Sequence, residues 1–286
     1  MPSRRFRLRL VLIFFALVLL VVVALVFRLT PTHEGEWGAL QGRIPTITSS
    51  AEGQYHITGI RDFRYHPDAS VAESRYFDEQ IDLAGLQRIW LGISHFAPMG
   101  LAHTFLSFEF SDQRFLVASV EARLNASQSY SPLKGLLRRY HKMIVLGTEA
   151  DIIGLRSHIR QERVLLYPLQ LTPEEQRYVL RGILNDAQAI EQQPAFYNTL
   201  LDNCLTNLVK HDPDFRHWWG LTDYRLVLPG FFDGLAWQRG WISNQLTLVE
   251  ARQRAEIDPA HTQPADSAFS VKIRSGWKVV GDAGSP

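Results

Sequence analysis

Cysteine is nearly absent from this sequence: Cys204 is the one thiol in 286 residues. A lone cysteine excludes an intrachain disulfide and every paired-cysteine zinc signature. There is no H-E-x-x-H pair, no G-x-S-x-G elbow and no glycine-rich phosphate loop. The common zinc proteases, serine hydrolases and P-loop nucleotide enzymes therefore drop out, and no metal or cofactor is expected. Basic blocks interleaved with aromatics are also missing, and 30 Lys and Arg stand against 29 Asp and Glu. That balance offers no nucleic-acid surface. Internal repeats and low-complexity tracts are absent too.

The chain does contain one long apolar run, Leu10 to Phe27, free of charge and proline. Eighteen helical residues reach about 27 Å, slightly short of a bilayer core. Leu8 and Leu29 lengthen it while Arg4, Arg5, Arg7, Arg9 and Arg28 snorkel at its ends. A cleaved signal peptide would close on a small-x-small site, whereas this run closes on "LVFRLTP". The spacing predicts an uncleaved single-pass inner-membrane anchor over 10–29. The preceding arginines put residues 1–9 in the cytoplasm and everything after Thr30 in the periplasm. The five flanking arginines taken away, 25 of the 30 basic residues remain against 29 acidic ones, so the exported part is mildly acidic.

Residues 30–54 read as a linker, 55–245 as one α+β domain and 246–286 as a partly flexible tail in which "FSVKIR" suits a short strand. Within the domain, "LQRIWLGIS" reads as a strand, and "HTFLSFEF" and "RFLVASVEA" as a hairpin around Ser-Asp-Gln. Ser131 and Pro132 open a helix expected to reach Tyr140, "KMIVLG" and "RVLLYPL" are strands, and Thr148 caps a short helix. Thr172, Pro173 and Glu175 form a capping box. They start a helix whose apolar face is Val179, Leu180, Ile183, Leu184, Ala187 and Ile190, and which stops before Pro194. "EARQRAEID" reads as a solvated helix face. The sum is helices packed on an antiparallel sheet.

Cys204 lies in "FYNTLLDNCLTNLVKH", where Asp202 or Asn203 can cap a helix and put the thiol in its first turn. Free N–H groups there favour a thiolate and can hold an oxyanion. The competing role is a small buried hydrophobe. A thiol nucleophile needs a base, usually His, and a group that orients the base. Of ten histidines, His211 lies two turns along the same helix, about 10 Å away and out of reach. His103 opens a hairpin strand. A turn centred on Asp112 sets it opposite Glu121, a carboxylate that interrupts an apolar strand and wants a partner. A slip of one residue would turn the pair apart. His95 is the rival base, and Asn203, Asn207 and Arg123 are possible supports.

Four blocks carry a family resemblance: "GLAHTFLSFEFSDQRFLVASVEARL", "YSPLKGLLRRY", "DIIGLRSHIR" with "VLLYPL", and "FYNTLLDNCLTNLVKH". Over roughly 83–241 the chain resembles the Lnb N-terminal periplasmic domain family. That family is similar to circularly permuted papain-like and NlpC/P60-like thiol enzymes, in which the histidine precedes the cysteine. The resemblance implies that fold behind the anchor helix, with Cys204 as nucleophile, His103 as base and Glu121 as the following polar position. Relatives named for Lnb are lipoprotein N-acyltransferases. They bear further spanning helices after this domain, which this sequence lacks, and a cysteine block resembling N-N-C-T-T where this one reads Asp202-Asn203-Cys204-Leu205-Thr206. The expected function is a membrane-anchored periplasmic acyltransferase or acyl hydrolase, with phospholipid, lipoprotein or cell-wall peptide as substrate. A cell-envelope amidase or peptidase with the same residues, and a non-catalytic binding or assembly domain, are the alternatives.

Overall fold

The structure is a computed structural model that describes residues 4–198, 204–210 and 223–277. Helix α1, Arg4–Phe27, contains the apolar run. Leu10, Phe14, Phe15 and Leu20 each expose more than half their surface, as an unpacked apolar helix must. Among the described residues, which leave out several side chains of α1, no helix is long and apolar enough to cross a membrane.

Ten strands follow among the described residues: β1 Thr46–Ala51, β2 Gln54–Arg61, β3 Arg64–Tyr65, β4 Val71–Glu73, β5 Tyr76–Asp82, β6 Leu86–His95, β7 Ala102–Phe110, β8 Phe115–Arg123, β9 His141–Gly147 and β10 Arg163–Pro168. Eight form one sheet in the order β1-β2-β9-β8-β7-β6-β10, with β5 also pairing β2, while β3 and β4 make a separate ribbon. Every pairing is antiparallel except β2 with β9, which meet at Arg61 and Gly147 in parallel. The sheet already begins inside the stretch expected as linker. Ile47 of β1 is buried there and its carbonyl takes a bond from Gln188 Nε2.

Alternation along the strands builds two cores, one on each face of the sheet. One face takes Ile89, Leu91, Leu106, Phe108, Ala118 and Val120 together with α4, Pro173–Gln192. All six apolar positions expected on α4 are buried, and the Thr172/Glu175 capping box is formed in both directions. The other face takes Phe105, Val117, Met143 and Val145 against Ile152 and Ile153 of α3, Glu149–Gly154. Thr148 caps α3 by accepting from Asp151 N–H.

Two local expectations fail, and a third holds except at one residue, since Glu250, Arg254, Glu256 and Asp258 are exposed as a solvated face requires. Helix α2 is only Pro132–Leu136, and Ser131 makes no side-chain cap. Gly135 weakens it, its leucines find no core, and Arg138 at φ +53° ends it. The "FSVKIR" segment is helix α9, Phe269–Lys272, because Phe269 and Ile273 drop together into the α3-side core. Arg252, on α8 Leu248–Ala255, leaves the solvated face and binds the buried Asp233 with two nitrogens at 2.7 and 2.9 Å. The tail is therefore packed through Trp277. Its firmest tie is Arg274, stacked on Trp90 and Phe115 and forked onto the fully buried Glu149.

Candidate active site

Strands β7 and β8 pair only from Leu106 opposite Ala118 to Glu109 opposite Phe115. This is the register set by a turn at Asp112. Beyond Leu106 the two strands part. β7 stays bonded to β6 as far as Ala102, and β8 stays bonded to β9 as far as Arg123. A cleft opens between them, and a cavity of about 370 Å³ occupies it. His103, Glu121, Arg156, Arg160, Phe96 and Tyr197 are among its walls.

His103 does not touch Glu121 directly. Its Nε2 lies 2.7 Å from Ser119 Oγ, and Ser119 Oγ donates to Glu121 Oε1 at 3.0 Å. Ser119 and Glu121 are two apart on β8 and so share a face, the one that also holds Phe105 and Val117. Glu121 Oε1 also accepts from Arg156 at 3.1 Å. Burial opposes the Glu121 charge, but the Arg156 and Arg61 guanidiniums and the Ser119 hydroxyl outweigh it and pull the carboxyl down to about 2. An ionised carboxylate can only accept, so the Ser119 proton points to Glu121, and Ser119 must accept from His103 Nε2–H. This bond order assigns the tautomer: the ring proton sits on Nε2 and the lone pair on Nδ1. Burial, reinforced by the Arg156 guanidinium, pushes the imidazole down to about 3, so it is neutral at physiological pH. A neutral, oriented imidazole is the form that takes up a proton.

Cys204 opens α5, Cys204–Val209. This helix packs against β7 and β8, the strands that carry the relay. It is too short to gather much macrodipole, so any help to a thiolate comes from local N–H groups alone. Leu205 is fully buried and Val209 nearly so, both in the core on the α4 face. Under them lies a second cavity of about 260 Å³, walled mainly by apolar side chains such as Leu91, Leu106, Val179 and Phe232. The Cys204 and Asn207 side chains and the whole of Asn203, Asp202 and His211 lie outside the described residues.

Two expected residues fall elsewhere. His95 ends β6 with its ring nitrogens against the carbonyls of Arg163, at 3.3 Å, and Gly230, at 3.1 Å. It closes a loop rather than lining the cavity. That loop also needs Gly100, at φ +79°, and Gly230, where an added Cβ would meet Gly100 backbone at 2.8 Å. Arg123 binds the carbonyls of Gln41 and Gly42 and stacks on Trp37, tying the incoming chain to β8. Sequence reasoning missed Ser119, Arg156 and Arg160. Ser119 carried a readable signal, since it is a hydroxyl two positions before Glu121 in an apolar strand. Arg156 and Arg160 carried none, because they reach the cleft through a π turn, Leu155–Ile159, that periodicity does not reveal. Among the described residues no group of side chains could hold a metal ion.

Comparison with known proteins gives one match: the family model described as Lnb N-terminal periplasmic domain covers residues 72–230, more than half the chain. The matched span holds His103, Ser119, Glu121, Arg156, Arg160 and Cys204. No curated protein and no solved structure matches.

Proposed function

From the premise that this chain belongs to the Lnb N-terminal periplasmic domain family, we propose that it is a periplasmic thiol enzyme of acyl transfer, held at the inner membrane by α1. The observation that carries the reading is that α5, with Cys204 at its start, packs on the two strands that hold an oriented, neutral His103. The Cys204 thiol loses its proton to His103 Nδ1, and the sulfur attacks the carbonyl carbon of an ester. The carbon–oxygen bond of the tetrahedral intermediate breaks, and the alcohol leaves with the proton from Nδ1. A thioester remains on Cys204. Water or an amine then gives a proton to Nδ1 and attacks the thioester, and Cys204 departs as thiolate. Ser119 keeps the ring turned, and Glu121 stabilises its charged form without itself taking the proton. The apolar cavity beneath Leu205 supports an acyl chain as the group transferred. The fold we propose for this chemistry is the permuted papain-like, NlpC/P60-like one.

Two other readings have support of their own. Charged walls around His103, Arg160 and Glu162 among them, suit a cell-wall peptide and hence an amidase or peptidase. Leu205 and Val209 enter the core on the face opposite His103, which suits a non-catalytic domain. The test is mass spectrometry of the detergent-purified protein after incubation with native phospholipid. A hydroxylamine-labile acyl adduct on the Cys204 peptide, absent in Cys204→Ala and His103→Ala, is the expected result. A thiol that iodoacetamide labels readily but that takes no acyl group moves the substrate to an amide. A thiol that resists iodoacetamide in the folded protein overturns the enzyme reading.

A further inference from the structure

The leucines of α2 are shut out of both cores. Leu133 is 65 % exposed, and Tyr130, Leu136 and Leu137 each show more than a third of their surface. Large apolar side chains gathered so closely along the chain make a patch rather than a scatter. Lys134, Arg138, Arg139 and Lys142 stand among and after them, and no Asp or Glu occurs between Glu121 and Glu149. The exported part as a whole is mildly acidic, so this basic, apolar stretch departs from its surroundings. It also adjoins the place where the chain arrives from α1. His33 Nε2 donates to the Glu191 carbonyl at 2.9 Å, and Trp37 bridges Asn125 and meets His141 edge-on. Ala126 N–H donates to the Glu36 carbonyl, and Gly38 N–H to the Leu124 carbonyl. The incoming chain is thus fastened to the segment that runs on into Tyr130 and α2. Pro31 and Arg138 line one surface hollow with Lys142 and Phe196. Asp186, in the same wall, is held by Lys210 at 2.7 Å. From Phe27, the end of α1, to His33 the chain can reach at most about 22 Å.

We propose that Tyr130 and α2 form a membrane-docking surface, whose partner is the acidic lipid surface of the bilayer that α1 enters. The proposal rests on α1 as the anchor, which belongs to the reading given above. Leu133, Leu136 and Leu137 enter the boundary between headgroups and acyl chains, and Tyr130 lies at headgroup level, where amphipathic rings gather. Lys134 and Arg139 lay their stems along the apolar patch and keep their charges level with the phosphates. Apolar burial and attraction to acidic lipid then add. A helix as short as α2 would hold a membrane poorly by itself. Here α1 has already brought it to the surface on a short tether, so the second contact forms at high effective concentration. That second contact fixes the orientation of the domain, which one anchor helix on a tether leaves free to turn.

The test is a depth measurement in the full-length Cys204→Ala chain reconstituted in vesicles. Leu133→Cys, Leu136→Cys, Leu17→Cys and Val249→Cys each carry a nitroxide label in turn. Leu17 lies in α1, and Val249 is exposed on α8, which packs on the edge strand β10. Collisions with oxygen, which concentrates in lipid, and with a nickel chelate, which stays in water, report the depth of each label. The vesicles are phosphatidylcholine with about one third phosphatidylglycerol. The Leu133 and Leu136 labels are expected to favour oxygen, as Leu17 does, while Val249 favours nickel. Adding Lys134→Gln or Arg139→Gln should move the docked-to-undocked ratio about fivefold toward undocked, read from the two-component spectrum. Leu133 and Leu136 labels that favour nickel while Leu17 favours oxygen overturn the docking surface and leave the anchor standing. A Leu17 label in water with Leu133 in lipid overturns the anchor and leaves the docking surface, and all labels in water overturn both. Leu133 and Leu136 labels shielded from both probes mark a protein partner and overturn the bilayer as occupant. A ratio indifferent to both charge variants overturns the role given to the basic side chains.

Discussion

Replacing Glu121 by Gln tests the electrostatics of the relay with little change of shape. Gln keeps a carbonyl oxygen for Ser119 and Arg156 but loses the charge. Arg156 is then left buried, 6 % exposed, without a counter-ion. Two routes give the size. Breaking a buried pair costs about 3–5 kcal/mol. Independently, the fall of the Glu121 carboxyl from an ordinary 4.5 to about 2 is worth about 3 kcal/mol, at about 1.4 kcal/mol per pH unit. The routes agree on roughly 3 kcal/mol, which for a domain of this size lowers the melting temperature by about 6–12 °C. The pH dependence has a definite sign. A carboxyl depressed in the folded state contributes stability that is complete above 4.5 and is lost as pH falls through 2. The gap between wild type and Glu121→Gln, measured by urea unfolding of the full chain in neutral detergent, should be flat from pH 8 to 6. By pH 3.5 it should have narrowed by about 1.4 kcal/mol. A gap that is the same at both ends of that range would show that lost packing, and not lost charge, is the cause, and the argument from the carboxylate would be refuted.

Two further outcomes follow from the same geometry. His103 should keep the Nε2–H tautomer from pH 8 to 5 in nitrogen-15 spectra of the ring, because burial and Arg156 hold it down to about 3. A midpoint near 6.5 would contradict that. As the unfolded chain gains this proton and the folded one does not, His103 removes stability as pH falls below 6.5. At the tail, Arg274→Met strands the fully buried Glu149 and should cost about 3–5 kcal/mol in chemical denaturation, with much of it restored in Glu149→Gln/Arg274→Met. A loss under 1 kcal/mol would mean that the tail does not bind the sheet as described.

The sequence determined by itself those features whose physics is local. The capping box and apolar face of α4 lie within one helix, and both strands of the β7–β8 hairpin declare themselves by residue type, with a short turn that fixes their register. The register of that hairpin was thus within reach of counting, but the ladder ends at Leu106 and Ala118, before His103 and Glu121 can stand opposite each other. Tertiary structure alone decided what that pair became. The parting of β7 from β8 depends on each strand keeping its outer partner, which no single segment specifies. That parting makes room for Ser119 to stand between base and carboxylate, and for Arg156 and Arg160 to enter from a π turn some 35 residues further along the chain. The same limit applies to Arg274, read as tail, whose buried partner Glu149 lies 125 residues away. A charge pair across such a distance leaves no periodicity, because its cost and its compensation meet only when the chain is folded.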